Sequence, residues 1–131
     1  MASPTRLPPP PLGPPAPFVF GYLRLPSPRP LYVLAVRRHL AWHCQIRGLR
    51  VGRVFVDEGY RDTTVSRPGF ADMCYRIREQ RPYGVLVLHP RDLSTDEKVS
   101  LHLASLVWDI GVHLLTVRGD LPVRPEWSTK P

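Results

Sequence analysis

Lysine is almost absent from this chain: two lysines stand against sixteen arginines in 131 residues. A GC-rich coding sequence produces the same bias, so arginine abundance is weak evidence for phosphate binding. The net charge of +7 favours anionic partners such as nucleic acid, but no block of five or six like charges occurs to form a basic tail. Cysteine is scarce too. Cys44 and Cys74 lack CxxC spacing and lie among apolar neighbours, as small core residues of a reduced protein do. No apolar run approaches the roughly 20 residues that span a bilayer, and the N-terminus lacks the apolar core of a signal peptide. A soluble, cytoplasmic protein without a membrane partner is expected. No glycine-rich phosphate loop follows the first apolar run, which counts against a nucleotide site. His39 and His43 have ligand spacing on a helix but no visible third ligand. No metal and no cofactor are expected.

Proline, in contrast, is abundant, with 17 residues, eight of them before Phe18. The run Pro8 to Pro11 and the pair Pro14-Pro15 cannot sit inside a helix or sheet. Residues 1–17 therefore read as a disordered, Pro-rich leader. Residues 18–119 are the candidate folded domain, and residues 120–131 an irregular tail with little to pack.

Within the domain, short apolar runs alternate with helical patterns. Phe18–Leu23 reads as a buried strand. Leu31–Arg47 carries Val33, Val36, Leu40 and Cys44 on one helical face, and Gly48 suits the helix end. Val51–Val56 is a second strand, and a polar loop follows from Tyr60 to Arg67. Pro68 opens a helix with Phe70, Met73, Cys74 and Ile77 on its apolar stripe. Gly84–Leu88 shows no alternation, so both faces should be covered, as in a parallel sheet. Ser94 to Glu97 reads as a capping box for a helix that buries Leu103, Val107 and Ile110. Val112–Val117 completes the pattern. The β-α-β-α-β-α-β order predicts an α/β fold: one three-layer domain with a mainly parallel four-stranded sheet and right-handed crossovers. In such sheets ligands sit at the carboxyl ends of the strands. Those ends carry Arg24, Asp57, Glu58, His89, Arg91, Asp92 and Arg118.

Three stretches resemble a known family in order and spacing. Phe20-Gly21-Tyr22-Leu23-Arg24 resembles the first strand of serine recombinases, the resolvase/invertase family. Val54 to Gly59, followed by Ser66-Arg67-Pro68-Gly69, resembles the second strand and mobile loop. Val85 to Ser94 resembles the third strand and its arginine motif. The resemblance implies a fold in which a serine attacks a DNA phosphodiester while arginines neutralise the phosphate. Residue by residue, Tyr22 and Arg24 match the family's tyrosine and first active-site arginine, and Arg67 matches the arginine of the loop. The serine position is taken by Pro26, with Ser27 one residue late. The family's Asp-Arg pair is inverted as Arg91-Asp92, and Thr95 stands at a later arginine position. The long helix and DNA-binding domain that follow the family's catalytic core have no counterpart after Arg118.

Several readings stay open on these residues. The first is a non-catalytic binding or regulatory module that acts through protein contacts, as a homo-oligomer such as a dimer or with another partner, and through DNA. The second is an active DNA-cleaving enzyme using Ser27 with Arg24 and Arg67. The third is a domain for a small anionic ligand. Tyr22, Arg24, Arg67 and Arg91 are the candidate anion-binding residues, with His89 and Asp92 at the site's edge. Arg24 either meets an anionic partner or forms an internal salt bridge to Asp57 or Asp92. Arg91 and Asp92 read as a local ion pair. Trp42 and Trp108 read as packing residues that would mark an interface if exposed, and Trp127 as a residue docking on a partner or on the core.

Overall fold

The strand segments are apolar on both sides, so each must be covered on both faces, and helical crossovers supply that cover. A computed structural model describes residues 16–124. Residues 1–15 of the Pro-rich leader and Trp127 lie outside the described residues. The elements run β1 (Phe18–Leu25), α1 (Pro30–Ile46), β2 (Arg50–Glu58), α2 (Pro68–Gln80), β3 (Gly84–Val87), a short 3₁₀ turn (Pro90–Asp92), α3 (Glu97–Ile110) and β4 (His113–Thr116). All strand pairs are parallel and the sheet order is β2-β1-β3-β4. This is the expected α/β architecture.

The order dictates the layers. The step from β1 to β2 runs one way across the sheet; the steps from β2 to β3 and from β3 to β4 run the other way. Right-handed crossovers then place α1 on one face and α2 with α3 on the other. The two core clusters follow that division. Phe20, Tyr22 and Phe55 pack with Phe70, Met73, Ile77, Leu103 and Val107 beneath α2 and α3. Val19, Leu23, Leu25 and Val54 pack with Val36, Leu40 and Cys44 beneath α1. Strand alternation does the sorting, since Tyr22 and Arg24 share a side that Leu23 and Leu25 do not.

Two local expectations change. The start of α3 is capped by Asp96, whose carboxylate accepts from the Lys98 and Val99 amides at 2.9 and 3.1 Å. Ser94 is not the cap, because its hydroxyl is drawn toward the loop before α2. The tail also contributes to the core: Leu121 packs against the α2/α3 cluster, and Arg124 lies 6.0 Å from the centre of the Trp108 ring. Trp108 is buried as expected, whereas Trp42 is 60% exposed.

Backbone proximity fixes one position in the sheet. Gly84 pairs with His113, and a Cβ at Gly84 would come within 2.5 Å of the His113 carbonyl oxygen. A backbone atom of a paired strand cannot step aside as a side-chain tip can. Gly84→Ala is therefore expected to destabilise the fold by about 1–3 kcal/mol or more, read as a lower midpoint in urea unfolding.

Candidate functional site

The reversal of strand order between β1 and β3 opens a crevice at the carboxyl ends of these strands. Of the five buried polar or charged residues among the described residues, Asp57, Arg67, Asp92 and Ser94 lie around this crevice. The first tie is Tyr22 at the end of β1. Its hydroxyl donates to Asp57 Oδ2 on neighbouring β2 at 2.8 Å. The ring stacks edge-on against Phe70 with centroids 5.0 Å apart. Burial pushes the Tyr22 hydroxyl well above the usual phenol range, against the opposing influence of Arg67.

Asp57 does a second task. Its two carboxylate oxygens accept from the Gly69 and Phe70 amides at 2.7 and 2.9 Å. The residue before α2, Arg67, makes no side-chain cap, so a strand carboxylate supplies what a local Ser or Asp usually does. Gly69 is required here: a Cβ would meet both Asp57 oxygens at 2.9 Å.

Arg67 is 2% exposed, and its side chain is the largest of the fully buried ones. Each of its nitrogens donates inward: Nε to the Thr64 carbonyl at 2.7 Å, Nη2 to the Asp62 carbonyl at 3.0 Å, and Nη1 to the Tyr22 hydroxyl and the Asp92 carbonyl at 3.4 and 3.5 Å. Among the described residues it forms no ion pair. Arg24 also points to this side. Its Nη1 donates to the Tyr60 carbonyl at 2.9 Å and its Nη2 pairs with Asp62 at 3.2 Å. The salt bridge is internal, as one reading anticipated, but the partner is Asp62 and not Asp57 or Asp92. Asp57 is engaged by Tyr22 and α2, and the Asp92 carboxylate turns back on its own turn.

Asp62 was not singled out in the sequence. It lies in a loop without periodicity, and its partners are 32 to 38 residues away. The Ser94 hydroxyl reaches its side chain at 3.1 Å, and the Thr95 amide and hydroxyl also donate to it. Burial opposes its charge, but the Thr95 and Ser94 hydrogen bonds and the Arg24 charge together hold the carboxyl below the usual range.

The remaining candidates do not join the cluster. Ser27 is exposed in the bend between Leu25 and Arg29, and neither Arg24 nor Arg67 donates to it. Arg91 is exposed and makes no ion pair with Asp92, which faces inward; neighbouring positions in a 3₁₀ turn point apart. The expected local pair is therefore replaced by a reciprocal cap. His89 Nδ1 accepts from the Arg91 amide, and Asp92 Oδ2 accepts from the His89 amide, both at 3.1 Å. His89 is half-buried beside Gly119. His39 is exposed and His43 half-buried, and among the described residues no group of three His, Cys, Asp or Glu could hold a metal. No helix of the described residues is long and apolar enough to cross a membrane.

No protein-family model matches the sequence, and no curated protein does. Solved structures do match in fold. The N-terminal catalytic domain of TP901-1 integrase has a TM-score of 0.65 at 18% identity, covering 76% of this chain and 76% of that one. The C-terminal catalytic domain of ISC1926 TnpA, an IS607-like serine recombinase, has a TM-score of 0.67 at 17% identity, covering 78% and 71%. The first open reading frame of transposon ISC1904 from Sulfolobus solfataricus P2 has a TM-score of 0.60 at 16% identity, covering 86% and 74%. The likeness is one of fold.

Asp92 gives this cluster a pH signature. Burial raises its carboxyl from 3.8 to about 6, against hydrogen bonds from the His89 and Leu88 amides and the charges of Arg91 and Arg24. The folded chain then holds this proton more tightly than the unfolded chain. The resulting stabilisation is fully present below pH 4 and is lost as pH rises to about 6, by roughly 3 kcal/mol. Asp62, with its depressed value, acts in the opposite sense and only at lower pH. In Asp92→Asn, urea unfolding should show no such decline across this window, while the unaltered chain does.

Proposed function

We propose that this chain, which has the fold of serine recombinase catalytic domains, is a non-catalytic binding or regulatory module. It acts through protein contacts, self-association among them, and through DNA contacts made by its basic residues. The observation that carries the reading is the state of Arg67. Transfer of a phosphodiester to a serine needs a hydroxyl relieved of its proton and fixed cations at the oxygens where charge grows. Arg67 instead donates from every nitrogen to its own chain, out of reach of solvent.

The neighbouring residues support the same conclusion. Arg24 is matched by Asp62, an anion supplied by the chain itself. Pro26 stands where the resemblance expects the nucleophile, and Ser27 is exposed beyond the strand end. Thr95 stands where the resemblance expects a further arginine, and it serves Asp62. A polar crevice in which most donors meet acceptors of the same chain, the buried Arg24 Nε excepted, holds its loops in place. Its two arginines nearest the β1 end, Arg24 and Arg67, are turned to groups of the chain itself.

The test is a trapping experiment with nicked and supercoiled DNA, under conditions where an active serine recombinase forms its covalent link. No phosphoserine adduct is expected, and Ser27→Ala should match the unaltered chain. An adduct that disappears in Ser27→Ala would overturn the non-catalytic reading. Light scattering and DNA retention examine the binding half. A strict monomer without DNA affinity would remove both self-association and DNA from the proposal.

A further inference from the structure

The first acidic residue of the chain is Asp57, and eight arginines precede it. α1 lies in this purely basic stretch. Among the described residues it alone covers its face of the sheet, whereas the opposite face has two helices. Its inner side is satisfied by Val36, Leu40 and Cys44. Its outer side is apolar as well: Leu31 is 82% exposed, Leu34 45%, Trp42 60% and Ile46 62%. At 3.6 residues per turn these four side chains fall on one stripe about 22 Å long. Arg38 stands near the middle of that stripe, exposed, with exposed Arg37 beside it. A surface helix with an apolar core side should be polar on the other. This one carries, beside its exposed Arg37, Arg38, His39 and Gln45, a row of exposed Leu, Trp and Ile, and such a row is a mark of a contact surface.

We infer that the outer face of α1 is a docking surface for an acidic amphipathic helix of a partner protein. Leucine-type side chains of the partner cover Leu31, Leu34, Trp42 and Ile46, and its carboxylates meet Arg37 and Arg38. Charge selects this occupant. A second copy packed about a two-fold axis through the stripe would bring Arg38 against Arg38, with no carboxylate on either helix to separate them. A lipid surface would force Arg38 into the acyl boundary, because it stands within the apolar row and not along its flank. Nucleic acid would satisfy the arginines but leave Leu31, Leu34 and Ile46 against phosphates. An acidic helix with its own apolar row answers both demands at once. Trp42 and Arg38 are the residue types that carry most of the energy in such contacts.

This inference names the partner class for the binding module proposed above and rests on that reading, though not on the loss of catalysis. The probe is a synthetic helical peptide with leucines at every third and fourth position and glutamates on both flanks, titrated by calorimetry into the full chain. Saturable binding is expected. Trp42→Ala and Arg38→Glu should each weaken it at least about tenfold with an unchanged melting temperature, since both positions are exposed. A lysine-flanked version of the peptide should restore binding to Arg38→Glu only. The inference is overturned if the unaltered chain ignores the glutamate peptide, or if both variants bind it equally well. It is also overturned if Trp42→Ala dissolves a dimer seen by sedimentation, or if duplex DNA competes for the same stripe. A covalent DNA adduct in the trapping experiment would remove the non-catalytic reading and leave the peptide result intact.

Discussion

A guanidinium taken out of water keeps its charge, so the surrounding chain has to supply acceptors in the right directions. Arg67 imposes this requirement on the carboxyl edge of the sheet. With no carboxylate at ion-pairing distance, it is held by the carbonyls of Asp62, Thr64 and Asp92 and by the Tyr22 hydroxyl. These acceptors come from the end of β1, the loop before α2 and the turn after β3. One buried cation thus sets where three otherwise independent segments lie. Asp57 completes the arrangement from β2 by accepting from Tyr22 and from the first amides of α2. Removing either group would strand several polar atoms together, which is why such networks behave as units.

The fold and the chemistry of this site obey different constraints. The sheet needs only apolar strands of the right alternation and helices of the right handedness, and it stays recognisable in solved structures at 16 to 18% identity. Phosphoryl transfer needs cations and a nucleophile converging on empty space. In this chain Asp62 faces Arg24, and the Ser94 and Thr95 donors converge on Asp62. Asp62 ties the loop before α2 to the end of β1 and to the turn after β3.

Periodicity made the architecture legible. The unbroken apolar run at β3, the stripes of α1 and α2, and the glycine after α3 placed each element to within a few residues. Local motifs were less secure. The Ser94 to Glu97 pattern suits a capping box, yet Ser94 turns to Asp62 and Asp96 caps α3 instead. Arg91 and Asp92 read as partners because they are adjacent, but adjacency in a tight turn sends side chains apart. Tyr22, Arg24 and Arg67 lie near one another at the carboxyl edge of the sheet. The partner of Arg24 was not legible, because Asp62 reaches it across more than thirty residues of sequence and leaves no local pattern.

The position of β1 in the middle of the sheet bears on how the chain acquires its structure. β1 is made first and takes β2 as its neighbour on one side, but its other neighbour, β3, follows only after α1, β2 and α2. Until then Phe20, Tyr22 and Leu86-facing Gly21 border an open edge, and the α2/α3 core has one wall missing. Parallel pairing across such intervals closes large loops before any contact rewards them, which slows folding and prolongs the exposure of strand edges. A ribosome-bound chain that has emerged only as far as α2 therefore carries an unsatisfied central strand, and chaperone contact during synthesis has an obvious place to act.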